Sequence, residues 1–144
     1  MEVSVTAPES VLFVCGENAL RSPMAEGLVK RLHGARVYVD SVGVRSGALD
    51  TMAVAVMAEI GIDISGHRPK RLDELMDGSF ALVVALSPEA HGAALELARF
   101  SAIEDDHWDI ADPSLIEGSR DTRLAAYRAV RDALAARIRA RLGE

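Results

Sequence analysis

Residues 11–27, VLFVCGENALRSPMAEG, constrain the fold more than any other stretch of this chain. They begin with a short apolar run that is rich in β-branched residues and has the length of a strand. A polar loop follows, and Ser22 and Pro23 are then a favourable N-cap and first helical residue, so we expect a helix over 22–33. Strand, tight loop and helix in this order is how an α/β protein builds an anion site, because loop amides and the helix N-terminus point at one place.

The loop carries Cys15, the only cysteine in the sequence, and Arg21 after five intervening residues. A helix N-terminus and a nearby cation favour the thiolate form of a cysteine. Arginine can bind two phosphate oxygens at once, and Ser22 can either donate a hydrogen bond to the thiolate or cap the helix. Taken singly, Cys15 reads as a small buried hydrophobic residue and Arg21 as a solvated first-turn residue. Their joint spacing favours a thiolate that attacks phosphorus and forms a phosphocysteine.

The segment VLFVCGENALRSPMAEG resembles the phosphate-binding loop of the low-molecular-weight protein tyrosine phosphatases, a family related to arsenate reductases of the same fold. The resemblance implies a phosphate-binding loop made of Gly16, Glu17, Asn18, Ala19, Leu20, Arg21 and Ser22. One position departs from the family, which usually has glycine directly before its asparagine. Here Glu17 precedes Asn18. A carboxylate beside an anion site weakens dianion binding unless its side chain turns outward.

Two further residues match family positions that support the loop. The resemblance implies that Ser41, following a second strand predicted over 35–40, braces Asn18 through its hydroxyl. In the run GIDISGHR, it implies that His67 hydrogen-bonds the same asparagine. Without the resemblance, Ser41 is equally an ordinary residue at the end of a strand, and His67 is a surface loop residue.

Asp112 and Pro113 match the Asp-Pro pair that supplies the general acid in the family. A leaving ester oxygen develops negative charge, and a carboxylic acid above it can protonate it. The alternative is a surface turn, which Asp-Pro often opens. Asp109 is the weaker candidate because no proline follows it. Trp108 and Pro113 are expected at the pocket rim, although Trp108 could instead attach the loop to the core.

Length, charge and patterning exclude several classes of protein. At 144 residues the chain predicts one domain over 10–144, preceded by a flexible tail over 1–9. No apolar run is longer than 80–86, which is far shorter than the about 20 residues of a membrane helix, and the N-terminus lacks the pattern of a signal peptide. We therefore expect a cytoplasmic protein. A net charge of −6 argues against nucleic acid as a partner, and no residues predict a metal or another cofactor.

Strand and helix patterns alternate along the chain, which predicts a three-layer α/β/α domain with a four-stranded parallel sheet. The family resemblance implies the strand order 2-1-3-4. The remaining expected strands are 10–15, 80–86 and 101–106. The other expected helices run from Asp50 to Gly61, over 69–76, from Ser87-Pro88 to about Arg99, and over 119–142.

Three functions remain open at this point. The first is a phosphatase acting on a phosphorylated protein or a small phosphomonoester; Ser114 and Leu115 stand where the tyrosine phosphatases usually have aromatic residues. The second is reduction of arsenate, which resembles phosphate in shape and charge. A thioredoxin-coupled arsenate reductase would carry two more cysteines, so a single cysteine requires an external thiol. The third is a non-catalytic module that binds an anion or a partner, which Glu17 suggests.

Overall fold

The computed structural model describes residues 8–75, 80–99 and 102–143. Strands and helices alternate through these ranges, with two single turns of 3₁₀ helix between them. The elements are β1 (Ser10–Cys15), α1 (Arg21–His33), β2 (Tyr38–Gly43), α2 (Thr51–Ala58), the turn Leu72–Glu74, β3 (Leu82–Ala85), α3 (Pro88–Ala98), β4 (Glu104–His107), the turn Pro113–Leu115 and α4 (Arg120–Leu142).

Within the described residues the sheet has four strands in the order β2-β1-β3-β4, and every pairing is parallel. This confirms the predicted fold class and strand order. The first strand is central, and Cys15 at its carboxyl end pairs with Gly43 at the end of β2. The crevice beyond the carboxyl ends of the strands is where open α/β sheets bind ligands, and Cys15 opens onto it.

Two apolar cores cover the two faces of the sheet. Along β1, Val11, Phe13 and Cys15 point into the larger core, which includes residues of α1, α2 and α4. Leu12 and Val14 point the other way, into the smaller core beneath α3. Because side chains alternate along a strand, the face that carries Cys15 is the face against which α1 packs. The loop between β1 and α1 therefore begins at a strand end that is buried on both sides.

The second strand begins at Tyr38, three residues later than predicted. Two backbone amides after α1 donate to the carbonyl of His33, which holds residues 34–37 in a turn at the end of the helix. Pairing with β1 then sets the strand from Tyr38 to Gly43. Ser41 consequently lies inside β2 rather than after it, and its side chain is fully buried.

Other element bounds also differ from the predictions. The helix expected over 69–76 is a single 3₁₀ turn, Leu72–Glu74, and position 76 lies outside the described residues. The strand expected over 101–106 runs over Glu104–His107, and position 101 is likewise outside them. Positions 1–7 of the predicted tail are not described. Pro8 is buried, and Glu9 accepts a hydrogen bond from the Tyr38 amide, so these two residues belong to the domain.

The remaining helices begin one residue after their predicted starts, because the residue at each predicted start is the N-cap. Asp50 accepts hydrogen bonds from the first-turn amides of α2, as Ser87 does for α3 and Ser119 for α4. Each cap satisfies amides that have no partner inside the helix. In the ranges that the structure describes, none of the helices combines the length and the apolar character that crossing a membrane requires.

Candidate active site

The segment that follows β2 holds the loop after β1 in a ring. The amides of Val44, Arg45, Gly47 and Asp50 donate to the carbonyls of Cys15, Gly16, Glu17 and Ala19, at 3.0, 2.9, 3.0 and 2.9 Å respectively. In a trans peptide the carbonyl and the following amide point in opposite directions. Because these carbonyls point outward to the segment after β2, the amides that follow them point to the inside of the loop. This geometry builds a ring of donors around one point, as an oxyanion requires.

Asn18 has a left-handed backbone, with φ of 55°, which asparagine tolerates better than most residues. Its amide N–H donates to the sulfur of Cys15 at 3.3 Å, which agrees with the inward direction of the loop amides. The side chain is fully buried, and both of its polar atoms make two hydrogen bonds. Its Nδ2 donates to Ser22 and Ser41, and its Oδ1 accepts from His67 and from the Lys70 amide.

Ser22 connects this network to Cys15. Its Oγ accepts from Asn18 Nδ2 at 2.8 Å and lies 2.8 Å from Cys15 Sγ. A hydroxyl has one proton and two lone pairs, so Ser22 can donate its proton to sulfur when Cys15 is ionised, while Asn18 donates to the same oxygen. The prediction that Ser22 caps α1 is wrong, because the helix already begins at Arg21 and its N-cap position is Leu20, which has no polar side chain. A thiolate at this position would therefore have two donors within reach, the Ser22 hydroxyl and the Asn18 amide.

Arg21 is held at the cleft by backbone carbonyls. Its NH1 donates to Ile110 at 2.8 Å and to Leu86 at 3.3 Å. Ile110 follows β4 and Leu86 follows β3, so the segments after these two strands orient the guanidinium. Its NH2 lies 4.0 Å from Oδ2 of Asp112. Cys15, Arg21 and Asp112, the three predicted catalytic residues, line one cleft of about 670 Å³.

Ser114 fixes the carboxylate of Asp112. Its amide and its hydroxyl both donate to Oδ1, at 3.0 and 2.6 Å, because Asp112 caps the 3₁₀ turn Pro113–Leu115. The other oxygen, Oδ2, is the one closer to Arg21. Asp112 therefore presents one particular oxygen to the cleft.

The side chain of Glu17 turns outward from the ring of amides. It packs over Gly47, where a Cβ would lie 3.1 Å from its Oε1, and its Oε2 lies 3.8 Å from Nε of Arg45. This meets the condition under which a carboxylate in the loop is compatible with an anion. Gly43 supports the same loop, because a Cβ there would lie 2.7 Å from the Asn18 amide nitrogen.

A buried acidic residue stands behind the loop. Glu26 of α1 accepts from the hydroxyl of Ser41 at 2.6 Å, pairs with Lys30 at 2.6 Å, and lies 3.8 Å from His67. Burial lowers the pKa of His67 below its ordinary value, although the charge of Glu26 acts against this. Since Asn18 Oδ1 is an acceptor, a neutral His67 carries its proton on Nε2. The expected contacts of Ser41 and His67 with Asn18 are both present.

The two residues expected at the rim lie elsewhere. Trp108 is 4% exposed and packs edge-on against Phe13, with ring centroids 5.7 Å apart, so it belongs to the core. Pro113 is also buried. The expectation that they line the pocket mouth is wrong, because the turn directs Asp112 and Ser114 to the cleft instead. The packing of Trp108 agrees with the alternative interpretation, in which Trp108 attaches the loop to the core.

Sequence reasoning missed Arg45, Glu26 and Ser114. The last of these could have been found, because Asp-x-Ser is a common local turn in which the hydroxyl and amide bind the aspartate. Arg45 and Glu26 are close to the loop only through the pairing of β2 with β1 and the packing of α1, and a single sequence carries no local signal for either contact.

A parallel sheet whose first strand ends at a cysteine, with an arginine at the start of the following helix, defines a class of α/β proteins. Comparison with known proteins agrees. The model of a family described as low molecular weight phosphotyrosine protein phosphatase matches residues 10–143. The chain therefore belongs to the low-molecular-weight phosphotyrosine protein phosphatase family.

Relatives within this fold carry different activities in their names. An arsenate reductase of Halalkalibacterium halodurans is 36% identical over 129 residues, covering 90% of this chain and 91% of that protein. The solved structure of an arsenate reductase in the phosphate binding state is 28% identical, with a TM-score of 0.72 over 92% of this chain and 95% of that one. The YwlE arginine phosphatase from Geobacillus stearothermophilus is 29% identical, with a TM-score of 0.76 over 94% and 91%.

Proposed function

We propose that this protein is a phosphomonoester hydrolase that works through a phosphocysteine on Cys15. The observation that carries the proposal is the pair of polar contacts on one sulfur: the Asn18 amide donates to it at 3.3 Å, and the Ser22 hydroxyl lies within hydrogen-bonding distance at 2.8 Å. An inert buried cysteine needs no such contacts. The same cleft contains Arg21 and Asp112, which supply a cation for the phosphate oxygens and an acid for the leaving group.

In the first step the thiolate of Cys15 attacks phosphorus and the bond to the ester oxygen breaks. The loop amides and Arg21 bind the phosphoryl oxygens and stabilise the charge that develops on them. Asp112 gives its proton to the leaving oxygen. Oδ2 is the oxygen suited to this transfer, because Oδ1 is occupied by Ser114.

In the second step Asp112 acts as a base. It takes a proton from water, the water oxygen attacks phosphorus, and the phosphorus–sulfur bond breaks. The electron pair of that bond returns to Cys15, where the donors Ser22 and Asn18 stabilise the thiolate. Inorganic phosphate leaves, and Asp112 is again protonated for the next cycle.

The substrate class is a phosphorylated protein or a small phosphomonoester. Residues 114–116 contain no aromatic side chain to stack on a phosphotyrosine ring. Leu115 and Ile116 are instead exposed, to 76% and 43%. Exposed aliphatic side chains beside the cleft do not select an aromatic ring, which supports a range of phosphomonoester substrates broader than phosphotyrosine alone.

Reduction of arsenate by an external thiol is the second candidate, favoured by the name of the relative from Halalkalibacterium halodurans. Cys15 would displace water from arsenate to form a thiolate–arsenate adduct. An external thiol would then attack the Cys15 sulfur and form a mixed disulfide, and arsenic would leave as arsenite with the electron pair of the sulfur–arsenic bond. A second external thiol would attack the mixed disulfide and free Cys15. Only one of the sulfurs can come from this chain, because Cys15 is its only cysteine.

Two assays on the same preparation test the proposal. We expect aryl phosphate hydrolysis without added thiol, and little arsenite when arsenate is supplied with glutathione. Arsenite formation without phosphate release would favour the second candidate instead. Binding of inorganic phosphate with neither turnover would favour the non-catalytic module. The Cys15→Ser variant is the control for both assays, since either reaction needs the sulfur.

A further inference from the structure

One arginine beside the loop faces two carboxylates. NH1 of Arg45 lies 2.6 Å from Oε2 of Glu89, in the first turn of α3, and its Nε lies 3.8 Å from Oε2 of Glu17. All three side chains line the cleft that contains Cys15. The hydrogen bond with Glu89 raises the pKa of Arg45 above its ordinary value, and Glu17 adds to the effect, so this cation is permanent.

Arg45 is also attached to the loop itself. Its backbone amide donates to the carbonyl of Gly16 at 2.9 Å. A Cβ at position 16 would lie 3.5 Å from Arg45 NH2 and 3.3 Å from Glu89 Oε1. The ion pair between Arg45 and Glu89 therefore lies directly against the loop at Gly16, next to the cysteine. Charges at this distance act on any anion in the ring of amides.

We propose that Arg45 is a specificity-determining residue that allows this loop to bind a dianion although it contains Glu17. The inference rests on the proposed function, because it takes the loop as an oxyanion site. Two carboxylates at the rim would repel a phosphate dianion. The guanidinium between them offsets their charge and keeps Glu17 turned away from the ring. Arg45, which lies in a different segment, thus compensates for Glu17, the residue at which the loop departs from the family pattern.

Binding of inorganic phosphate, measured by isothermal titration calorimetry, tests this role. Arg45→Ala should raise the dissociation constant roughly five- to tenfold, as expected for loss of one charge near a partly shielded anion. Arg45→Lys should retain most of the affinity because it keeps the charge. Adding Glu17→Gln to Arg45→Ala should restore most of the affinity, which a merely structural loss would not allow.

Arg128→Ala is the matched control. It changes the net charge equally, and Arg128 pairs with Glu59 outside the cleft. Its phosphate affinity should stay within about twofold of wild type, since its charge is screened by solvent and salt. The side chain of Arg45 is 54% exposed, so we expect the Arg45 variants to fold, with melting temperatures close to that of wild type.

Wild-type affinity in Arg45→Ala, or failure of Glu17→Gln to restore a lost affinity, overturns this inference and leaves the proposed function standing. Absence of phosphate binding in the wild-type protein overturns both together.

Discussion

The hydroxyl oxygen of Ser22 lies 2.8 Å from the sulfur of Cys15, and Asn18 donates to the same oxygen from behind. Ser22 keeps its own proton while it accepts from Asn18, so the hydroxyl can donate to the sulfur of an ionised Cys15. Such a donor stabilises sulfur most when it is negatively charged, before attack and again when the phosphorus–sulfur bond breaks.

Ser22→Ala should therefore slow turnover of an aryl phosphate. Hydrogen bonds to charged groups contribute about 1.5–3 kcal/mol, so the loss should be roughly 10- to 100-fold in rate. Steady-state kinetics and single-turnover kinetics should both show it. Ser46→Ala is the control, because Ser46 is exposed on the neighbouring segment and should change little. An unchanged rate in Ser22→Ala would mean that the hydroxyl does not act on sulfur.

Asp112→Asn should slow hydrolysis according to the leaving group. Esters of poorly acidic alcohols need the proton and should lose about 10²- to 10⁴-fold, whereas esters of acidic phenols should lose much less. A series of aryl and alkyl phosphates measures the slope. Asp109→Asn makes the same change in charge three residues earlier, at an exposed position outside the cleft, and should leave the slope as in wild type. Equal losses across the series would remove Asp112 from the role of acid.

Gly43→Ala should displace the loop after β1 although it changes no polar side chain. The added Cβ would contact the Arg45 carbonyl and lie 2.7 Å from the Asn18 amide nitrogen, so the loop must move. We expect a loss of about 1–3 kcal/mol in stability, as for other overpacked sites, together with weaker phosphate binding. In Gly92→Ala the Cβ meets nothing within 4 Å, and a helical alanine should stabilise the protein by about 0.5–1 kcal/mol. Intact phosphate binding in Gly43→Ala would contradict the close packing of β2 on the loop.

His67 should make stability depend on pH below neutrality. Burial lowers its pKa in the folded state, so below the unfolded value of about 6.5 the unfolded chain takes up a proton that the folded chain does not. The free energy of unfolding should fall as pH drops from that value to the lowered one. Urea denaturation at about pH 7.5 and pH 5.5 should show a smaller fall for His67→Gln than for wild type. His107→Gln, at an exposed position, is the control and should fall as much as wild type. A fall in His67→Gln equal to that of wild type would contradict the lowered pKa of His67 in the folded state.

Local patterns predicted the elements whose ends are set by local contacts. The first strand was predicted over 10–15 and runs over Ser10–Cys15, because its apolar run and the polar loop after it define both ends. The second strand was misplaced, because the alternation in ARVYVD (residues 35–40) begins before Tyr38, the first residue of β2 that pairs with β1. The last strand, Glu104–His107, is acidic and has no apolar pattern. Pairing with β3 and ion pairs from Arg141 hold it, and neither is visible in the sequence.

The residues of the candidate site also divide into those that local motifs predict and those that only the folded chain brings together. Cys15 and Arg21 were predicted from the spacing of a short motif and Asp112 from the resemblance of its Asp-Pro pair, and the structure places all three along one cleft. The ring of amides depends on a segment that begins after β2, and its need for Gly43 appears only once the two strands are paired. Ser22 lies in the motif, yet its contacts with Cys15 and Asn18 could not be chosen over helix capping from the sequence.

The central claim is that the phosphoryl group passes through Cys15, and trapping it tests this most directly. Asp112→Asn lacks the base of the second step, so it should accumulate the intermediate when mixed with an aryl phosphate of an acidic phenol. Rapid acid quenching followed by peptide mass spectrometry should locate one phosphoryl group on Cys15, and none should appear in Cys15→Ser. Release of phenol with no phosphoryl group on the protein, or with one on any other residue, would contradict the account.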